Sequence, residues 1–386
     1  MCESDYRELI YDIAIIGAGA SGLMLASLLK NKKVLLLDSN AKIGEKIKVS
    51  GGAKCNITNE YVKSSNFLGN QEFVQTVLDQ FSKDDLLTFL NRNGVNPKIN
   101  AKIVKGTYFC QSSSEVISMF SKLLSHVTLK LNTCVSDVTF DTHYKLQTSK
   151  GSIEAKKLVL ASGGLSFPRL GASSIAFDTA RKFEHTVVAL TPALVGFTVQ
   201  KEQFWFKNLS GLSFDVKMKV DNKTFDGGFL FAHKGCSGPV ILNASLYWKK
   251  GQMSIDFLPK NTLKTFLKSN KLISSALPLP KRFLTEFLQS VDLRDKPISK
   301  LSVEELEKLK LLKNYTFSPA GNFGYSKAEV TKGGIDTAEV DVSDFQSKKQ
   351  KDLYFLGECL DVTGELGGYN FQWAFSSAFV CAKNIV

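Results

Sequence analysis

Arginine is scarce in this chain. Only six of the 49 basic residues are Arg (Arg7, Arg92, Arg169, Arg181, Arg282 and Arg294) and 43 are Lys, so few guanidinium forks exist for bidentate reading of base edges. The four histidines (His126, His143, His185 and His233) are dispersed. Seven cysteines (Cys2, Cys55, Cys110, Cys134, Cys236, Cys359 and Cys381) are odd in number and contain no C-x-x-C pair. Such spacing argues against a disulfide framework and against a structural zinc site, and no metal is expected. No apolar run approaches the roughly 18 residues of a membrane-spanning helix. The first eleven residues carry charges where a signal peptide would have an apolar core, so a cytoplasmic protein without a membrane partner is expected.

What is present is a long, moderately apolar chain. At 386 residues and 44% hydrophobic content it can bury a large core, and at about 150 residues per domain it holds two to three domains. Residues 11–16 (YDIAII) are a buried-type strand running into Gly17-Ala18-Gly19-Ala20-Ser21-Gly22, then a helical pattern, then a second strand ending in Asp38. This is a βαβ unit with G-x-G-x-x-G at its first turn. Gly17 permits the turn, Gly19 lets backbone approach a pyrophosphate, and Gly22 lets helix and strand pack closely. The free N–H groups at the helix start favour the phosphates, and Asp38 is placed to accept from a ribose.

Further along, residues 71–93 predict two helices separated at Ser82, which with Asp84 and Asp85 has the form of a fresh N-cap. Residues 127–138 and 157–161 predict strands, the latter opening into Ser162-Gly163-Gly164. Between 190 and 330 the texture changes. Strand-like pieces (195–200, 213–220, 253–258) give way to lysine-studded helical pieces (261–272, 281–290, 303–313). After 341 the α/β texture returns, with a buried-type strand at 353–356, a glycine-containing loop at 357–368 and an apolar helix at 370–384. The ends of the chain thus predict one nucleotide domain interrupted by an insertion.

A nicotinamide dehydrogenase and a flavoprotein share the opening unit. The flavin is favoured by Gly357-Glu358 after a late strand, and by a helix starting behind Gly367-Gly368-Tyr369-Asn370, whose N-terminus would stabilise negative charge on a reduced flavin. Six blocks carry a resemblance: 43–59 (IGEKIKVSGGAKCNITN), 158–171 (LVLASGGLSFPRLG), 191–197 (TPALVGF), 231–245 (FAHKGCSGPVILNAS), 328–335 (AEVTKGGI) and 355–374 (FLGECLDVTGELGGYNFQWA). In their order and over nearly the whole chain, the sequence resembles the BaiN/RdsA family of FAD-dependent oxidoreductases. The resemblance implies an α/β fold: a discontinuous Rossmann-like FAD-binding domain (1–189 and 331–386) around an inserted mixed β-barrel and helical domain (190–330). It implies FAD held by Gly17, Gly19, Ala20, Ser21, Gly22, Asp38, Asn56, Val135, Ala161, Gly163, Gly357, Glu358, Gly367, Gly368, Tyr369 and Asn370. It also implies reduction of an activated C=C bond. With one dinucleotide fingerprint visible, NAD(P)H would be a transient visitor.

Two residues are candidates for delivering the proton such a reduction needs: Cys55, in the glycine-rich loop before Asn56, and His233, in the FAHKGCSGP block. Cys55 is equally readable as a small buried packing residue, and His233 as a structural loop histidine. Residues 190–330 hold 21 Lys and Arg against 12 Asp and Glu, a net of +9 out of the chain's +12. Lys260, Lys264, Lys268 and Lys271 recur at helical spacing opposite Leu263, Phe266 and Leu267, a face that could follow a phosphate backbone or simply be solvated. Phe204, Trp205 and Phe206 could stack bases or fill a core. Three functions are expected, in this order: reduction of uridine to dihydrouridine in ribosomal RNA, reduction of small conjugated enones such as steroid-like acids, and a non-catalytic flavin-bound RNA-binding or assembly factor.

Overall fold

The computed structural model describes residues 10–100 and 104–385. Contacts divide the chain into two compact units, Met1–Pro192 with Glu329–Val386, and Ala193–Ala328. The elements of the first unit that position the site are Tyr11–Ile16 (β1), Ala20–Leu28 (α1), Val34–Leu37 (β2), Asn56–Asn59 (β3), Gln71–Gln80 (α2), Lys83–Arg92 (α3), Thr107–Phe109 (β4), Thr128–Lys130 (β5), Val135–Phe140 (β6), Tyr144–Thr148 (β7), Gly151–Leu160 (β8), Val330–Ile335 (β9), Leu353–Phe355 (β10) and Tyr369–Asn384 (α4).

The main sheet runs β5-β2-β1-β8-β7-β6, with β10 also pairing β8. β5, β2, β1, β8 and β10 are parallel to their neighbours in this group, while β8-β7 and β7-β6 are antiparallel. β8 is long because, opposite β1, its other edge serves two partners in turn: residues 151–155 pair with β7, and residues 158–160 with β10. Parallel strands are covered on both faces, which is why β1 and β2 carry unbroken apolar runs; Ile15, Leu35, Leu36 and Leu37 have no exposed surface. α1 is apolar all round for the same reason, packed between the sheet and α4.

Ser82 separates α2 from α3 as its sequence predicts. Its hydroxyl accepts from the Asp85 N–H while the Asp85 carboxylate accepts from the Ser82 N–H. The strand expected over 127–138 is instead two, β5 and β6. Asn132 between them is left-handed (φ 49°), and the Thr133 N–H leaves the ladder to bond the Asp38 carbonyl at 2.9 Å.

The second unit is a seven-stranded antiparallel sheet, in the order Tyr315–Phe317, Met253–Asp256, Ser213–Val220, Lys223–Ala232, Gly235–Ser237, Phe197–Val199, Pro319–Asn322. Its two edge strands are consecutive in the chain with one residue between them, so the sheet curls until its ends are joined covalently, as in a barrel. Trp205 and Phe206 belong to its core, Phe206 with no exposed surface, and the Trp205 indole N–H donates to the Tyr315 hydroxyl at 3.2 Å. Of the three aromatics at 204–206, Phe204 alone is exposed, at 45%, beneath the Lys207 ammonium.

The helix expected over 261–272 does not form. Only Leu263–Phe266 makes a 3₁₀ turn. The following backbone pairs across the chain instead of with its own fourth neighbour: Ser299 N–H bonds the Ser269 carbonyl, Ile298 N–H that of Lys271, and Ile273 N–H that of Lys296. Leu267, expected on the buried side, is 39% exposed. The four lysines are exposed, but they line a turn and an extended segment rather than one face of a helix.

Candidate functional site

The glycine loop sits where β1 meets β8 and β2. Gly17 donates to the Leu37 carbonyl, and a Cβ on it would lie 2.5 Å from the Ala161 carbonyl oxygen. On Gly22 a Cβ would lie 1.9 Å from the Gly17 carbonyl oxygen, so helix and strand touch there through bare backbone. Gly19 is different: a Cβ there would meet nothing within 4 Å. Gly19 is also the N-cap of α1, with extended backbone and no capping side chain, so the first N–H groups of Ala20, Ser21 and Gly22 face that space without a side-chain acceptor.

Asp38 closes one side of the loop. Its Oδ2 accepts from the Ala18 N–H at 2.7 Å and its Oδ1 from the Asn40 N–H at 2.8 Å and the Asn40 amide at 3.0 Å, which fixes the carboxylate while leaving a lone pair of Oδ2 for a ligand hydroxyl. Val135 follows the Asp38-bonded loop at the start of β6 and is buried. On the other side, Ala161 leads into Ser162, whose hydroxyl is buried without a partner, and into Gly163, in left-handed geometry (φ 75°). Glu358 faces this turn. Its Oε2 meets the Lys46 ammonium at 2.5 Å and its Oε1 accepts from the Thr331 N–H at 2.9 Å. The Thr331 hydroxyl in turn accepts from the N–H groups of Leu165 and Ser166. Gly357 joins the two helices: a Cβ on it would strike the Ser21 hydroxyl of α1, and its carbonyl accepts from the Trp373 indole of α4.

α4 begins at a second uncapped N-terminus. Gly368, its N-cap, is left-handed (φ 97°) and a Cβ there would lie 2.5 Å from the Thr58 carbonyl oxygen. The Gly367 carbonyl accepts from the Asn59 amide at 3.0 Å. Tyr369 is buried edge-on against Phe67. The Asn370 amide bonds the N–H and carbonyl of Gly364, so this side chain shapes the turn rather than facing outward.

The loop before β3 is backbone-strained. Gly51, Gly52, Ala53 and Cys55 all have positive φ, which for the last two carries a conformational cost of about 1–3 kcal/mol each. Asn56 is half-buried. Cys55 has no exposed surface, and with burial it pushes the neighbouring Cys110 thiol's pKa well up. His233 belongs to the second unit, where with Lys234 it forms the exposed two-residue turn between Ala232 and Gly235.

These residues fit a dinucleotide. An orphaned Ser162 hydroxyl, open space over Gly19 and two uncapped helix starts joined through Gly357 are what a diphosphate and its attached sugars would occupy and satisfy. The HI0933-like protein Rossmann domain model matches residues 11–384. The chain belongs to that family. The chain is 36% identical to the ribosomal RNA dihydrouridine synthase of Escherichia coli K12, over 97% of this chain and 98% of that one. It is 27% identical to the 3-dehydro-bile acid delta(4,6)-reductase of Clostridium scindens, over 96% and 98%. In fold it is similar to 3-ketosteroid-delta4-(5alpha)-dehydrogenase from Rhodococcus jostii RHA1, with a TM-score of 0.53 at 11% identity and 99% coverage of both chains.

Lys46 and Thr331 were not singled out by the sequence, although both lie in quoted blocks. Their roles depend on contacts with Glu358, 312 and 27 residues away. A further cluster has the order of a hydrolase triad: His185 Nε2 lies 2.7 Å from the Ser347 hydroxyl and its Nδ1 3.3 Å from Glu339. Its chemistry is structural. The Ser347 oxygen already accepts from the N–H groups of Lys349 and Gln350 and is buried. Burial holds the His185 pKa below its ordinary value. Burial raises that of Glu339, but the Lys349 ammonium and the Thr186 N–H and hydroxyl outweigh it and set the carboxyl at about 2.

Both shifts make the folded state less stable in acid than at neutral pH. The unfolded chain takes up the histidine proton first, below about pH 6.5, and the Glu339 contribution is lost from about pH 4.5 downward. The melting temperature should therefore fall between about pH 7 and pH 5, and His185→Gln should flatten that fall when the two are compared by calorimetry.

Proposed function

We propose that this chain reduces the C5=C6 bond of a uridine in ribosomal RNA to dihydrouridine, with FAD as cofactor and NAD(P)H as reductant. The observation that carries the reading is the paired, uncapped helix starts of α1 and α4, joined through Gly357, in a chain that matches a dihydrouridine synthase from end to end. Bound FAD would supply hydride to C6. Gly17, Gly19, Ala20, Ser21 and Gly22 would hold the pyrophosphate, Asp38 a ribose and Val135 the adenine. Ala161, Gly163, Gly357 and Glu358 would hold the flavin's sugar chain. Asn56, Gly367, Gly368, Tyr369 and Asn370 would flank the ring, where the positive end of α4 favours negative charge. Cys55 would hold the proton for C5, and His233 is the other candidate proton donor.

RNA binding rests on the lysines of the second unit. Lys264→Glu with Lys268→Glu should weaken ribosomal RNA binding by about tenfold and make the log-log salt dependence shallower by about two counterions. Unchanged affinity and slope in a filter-binding titration would remove that segment from the interface. The function itself is tested by mapping dihydrouridine in ribosomal RNA from strains with and without the gene: one site should disappear, and an identical map contradicts the proposal.

A further inference from the structure

Cys55 and Cys110 lie opposite each other across an antiparallel pair. The ladder of β3 and β4 ends at Asn56 opposite Phe109, and one step beyond it the Cys110 N–H bonds the carbonyls of Lys54 at 3.0 Å and Cys55 at 3.3 Å. Residues directly opposite in such a pair have Cα atoms about 4.5–5.5 Å apart, inside the window of about 4.4–6.8 Å that a disulfide requires. The two thiols also act on each other: Cys55, together with burial, pushes the Cys110 pKa well above its ordinary value. Other described cysteines are differently engaged: Cys359 bonds the carbonyls of Leu160 and Leu356, and Cys134 is exposed.

We propose that Cys55 and Cys110 are a redox-active thiol pair, closed to a disulfide by hydroperoxides and reopened by thiols. Cys55 is the attacking sulfur because Cys55 and burial hold Cys110 protonated, which leaves Cys110 to resolve the intermediate. The pair is covered, yet Gly52, Ala53 and Lys54 immediately before it are exposed, so it lies one residue beneath the surface. The Cys55 sulfur attacks the distal peroxide oxygen, the O–O bond breaks, and the alcohol (water, from hydrogen peroxide) leaves with a proton. Cys110 then attacks the resulting sulfenic sulfur; the S–O bond breaks, water leaves carrying the Cys110 proton, and the S–S bond forms. Two thiols lose two electrons in all, and one hydroperoxide is reduced to an alcohol and water.

Closure consumes the proton assigned to Cys55. The effect on turnover rests on that assignment under the proposed function; the bond itself does not.

The test uses the full chain carrying Cys134→Ser, treated with hydrogen peroxide, alkylated and digested without reductant. A Cys55–Cys110 cross-linked peptide, two hydrogens lighter than the sum of its parts and reopened by dithiothreitol, is expected. Cys110→Ser should abolish it. Recovery of both cysteines alkylated, or of Cys55 as sulfinic acid with Cys110 alkylated, overturns the pair. Dihydrouridine formation should stop in the cross-linked protein and return with dithiothreitol. A cross-linked protein that still turns over overturns the switch and the role of Cys55 together, while a reduced protein that never forms dihydrouridine counts against the proposed function and leaves the peptide result standing.

Discussion

Gly19→Asp protein is expected to fold normally and to purify colourless. The backbone at Gly19 is extended (φ −87°, ψ −165°), a conformation any residue adopts, and a Cβ there meets nothing within 4 Å. The substitution therefore costs little in the folded chain and leaves circular dichroism and melting unchanged. Its carboxylate, however, enters the space assigned to the pyrophosphate. Like charges about 4 Å apart repel by about 4 kcal/mol at an effective dielectric constant of 20, roughly a thousandfold in affinity. Gly22→Ala, three residues away, should do the reverse of sparing the fold, because its Cβ would lie 1.9 Å from the Gly17 carbonyl oxygen and neither backbone can retreat. If Gly19→Asp retains FAD at wild-type affinity by fluorescence titration, the loop does not hold the diphosphate.

Phe206→Ala should lower stability by about 3–5 kcal/mol, the range for emptying a fully buried aromatic site. Phe206 has no exposed surface and packs against the rings of Trp205, Phe229, Phe231, Tyr315 and Phe317, so the cavity would open in the middle of the barrel. Phe204→Ala, two residues earlier on the surface, should be within about 0.5 kcal/mol of wild type. Denaturant titrations of the two variants separate them, and equal midpoints would mean that Phe206 is not a core residue.

The contrast between these two phenylalanines shows what a linear pattern leaves open. The opening βαβ unit was legible because its strand, glycine turn, helix and second strand follow one another directly in the chain, and the Ser82 boundary because a capping box is local. Family membership was legible from six blocks spread along the chain. The lysine segment at 260–271 does not follow its pattern: its spacing fits a helix, but it makes only short turns and its Ser269 and Lys271 carbonyls accept from Ser299 and Ile298, which no periodicity within the segment can reveal. The meeting of Cys55 with Cys110, and of Lys46 and Thr331 with Glu358, was hidden for the same reason.

The most direct test supplies purified protein, reconstituted with FAD, with NAD(P)H and ribosomal RNA from a strain lacking the gene, and reads uridine conversion by mass spectrometry. Dihydrouridine should appear at the position lost in that strain, and should not appear with Gly19→Asp protein. Oxidation of NAD(P)H without any dihydrouridine would contradict the assignment of RNA as substrate.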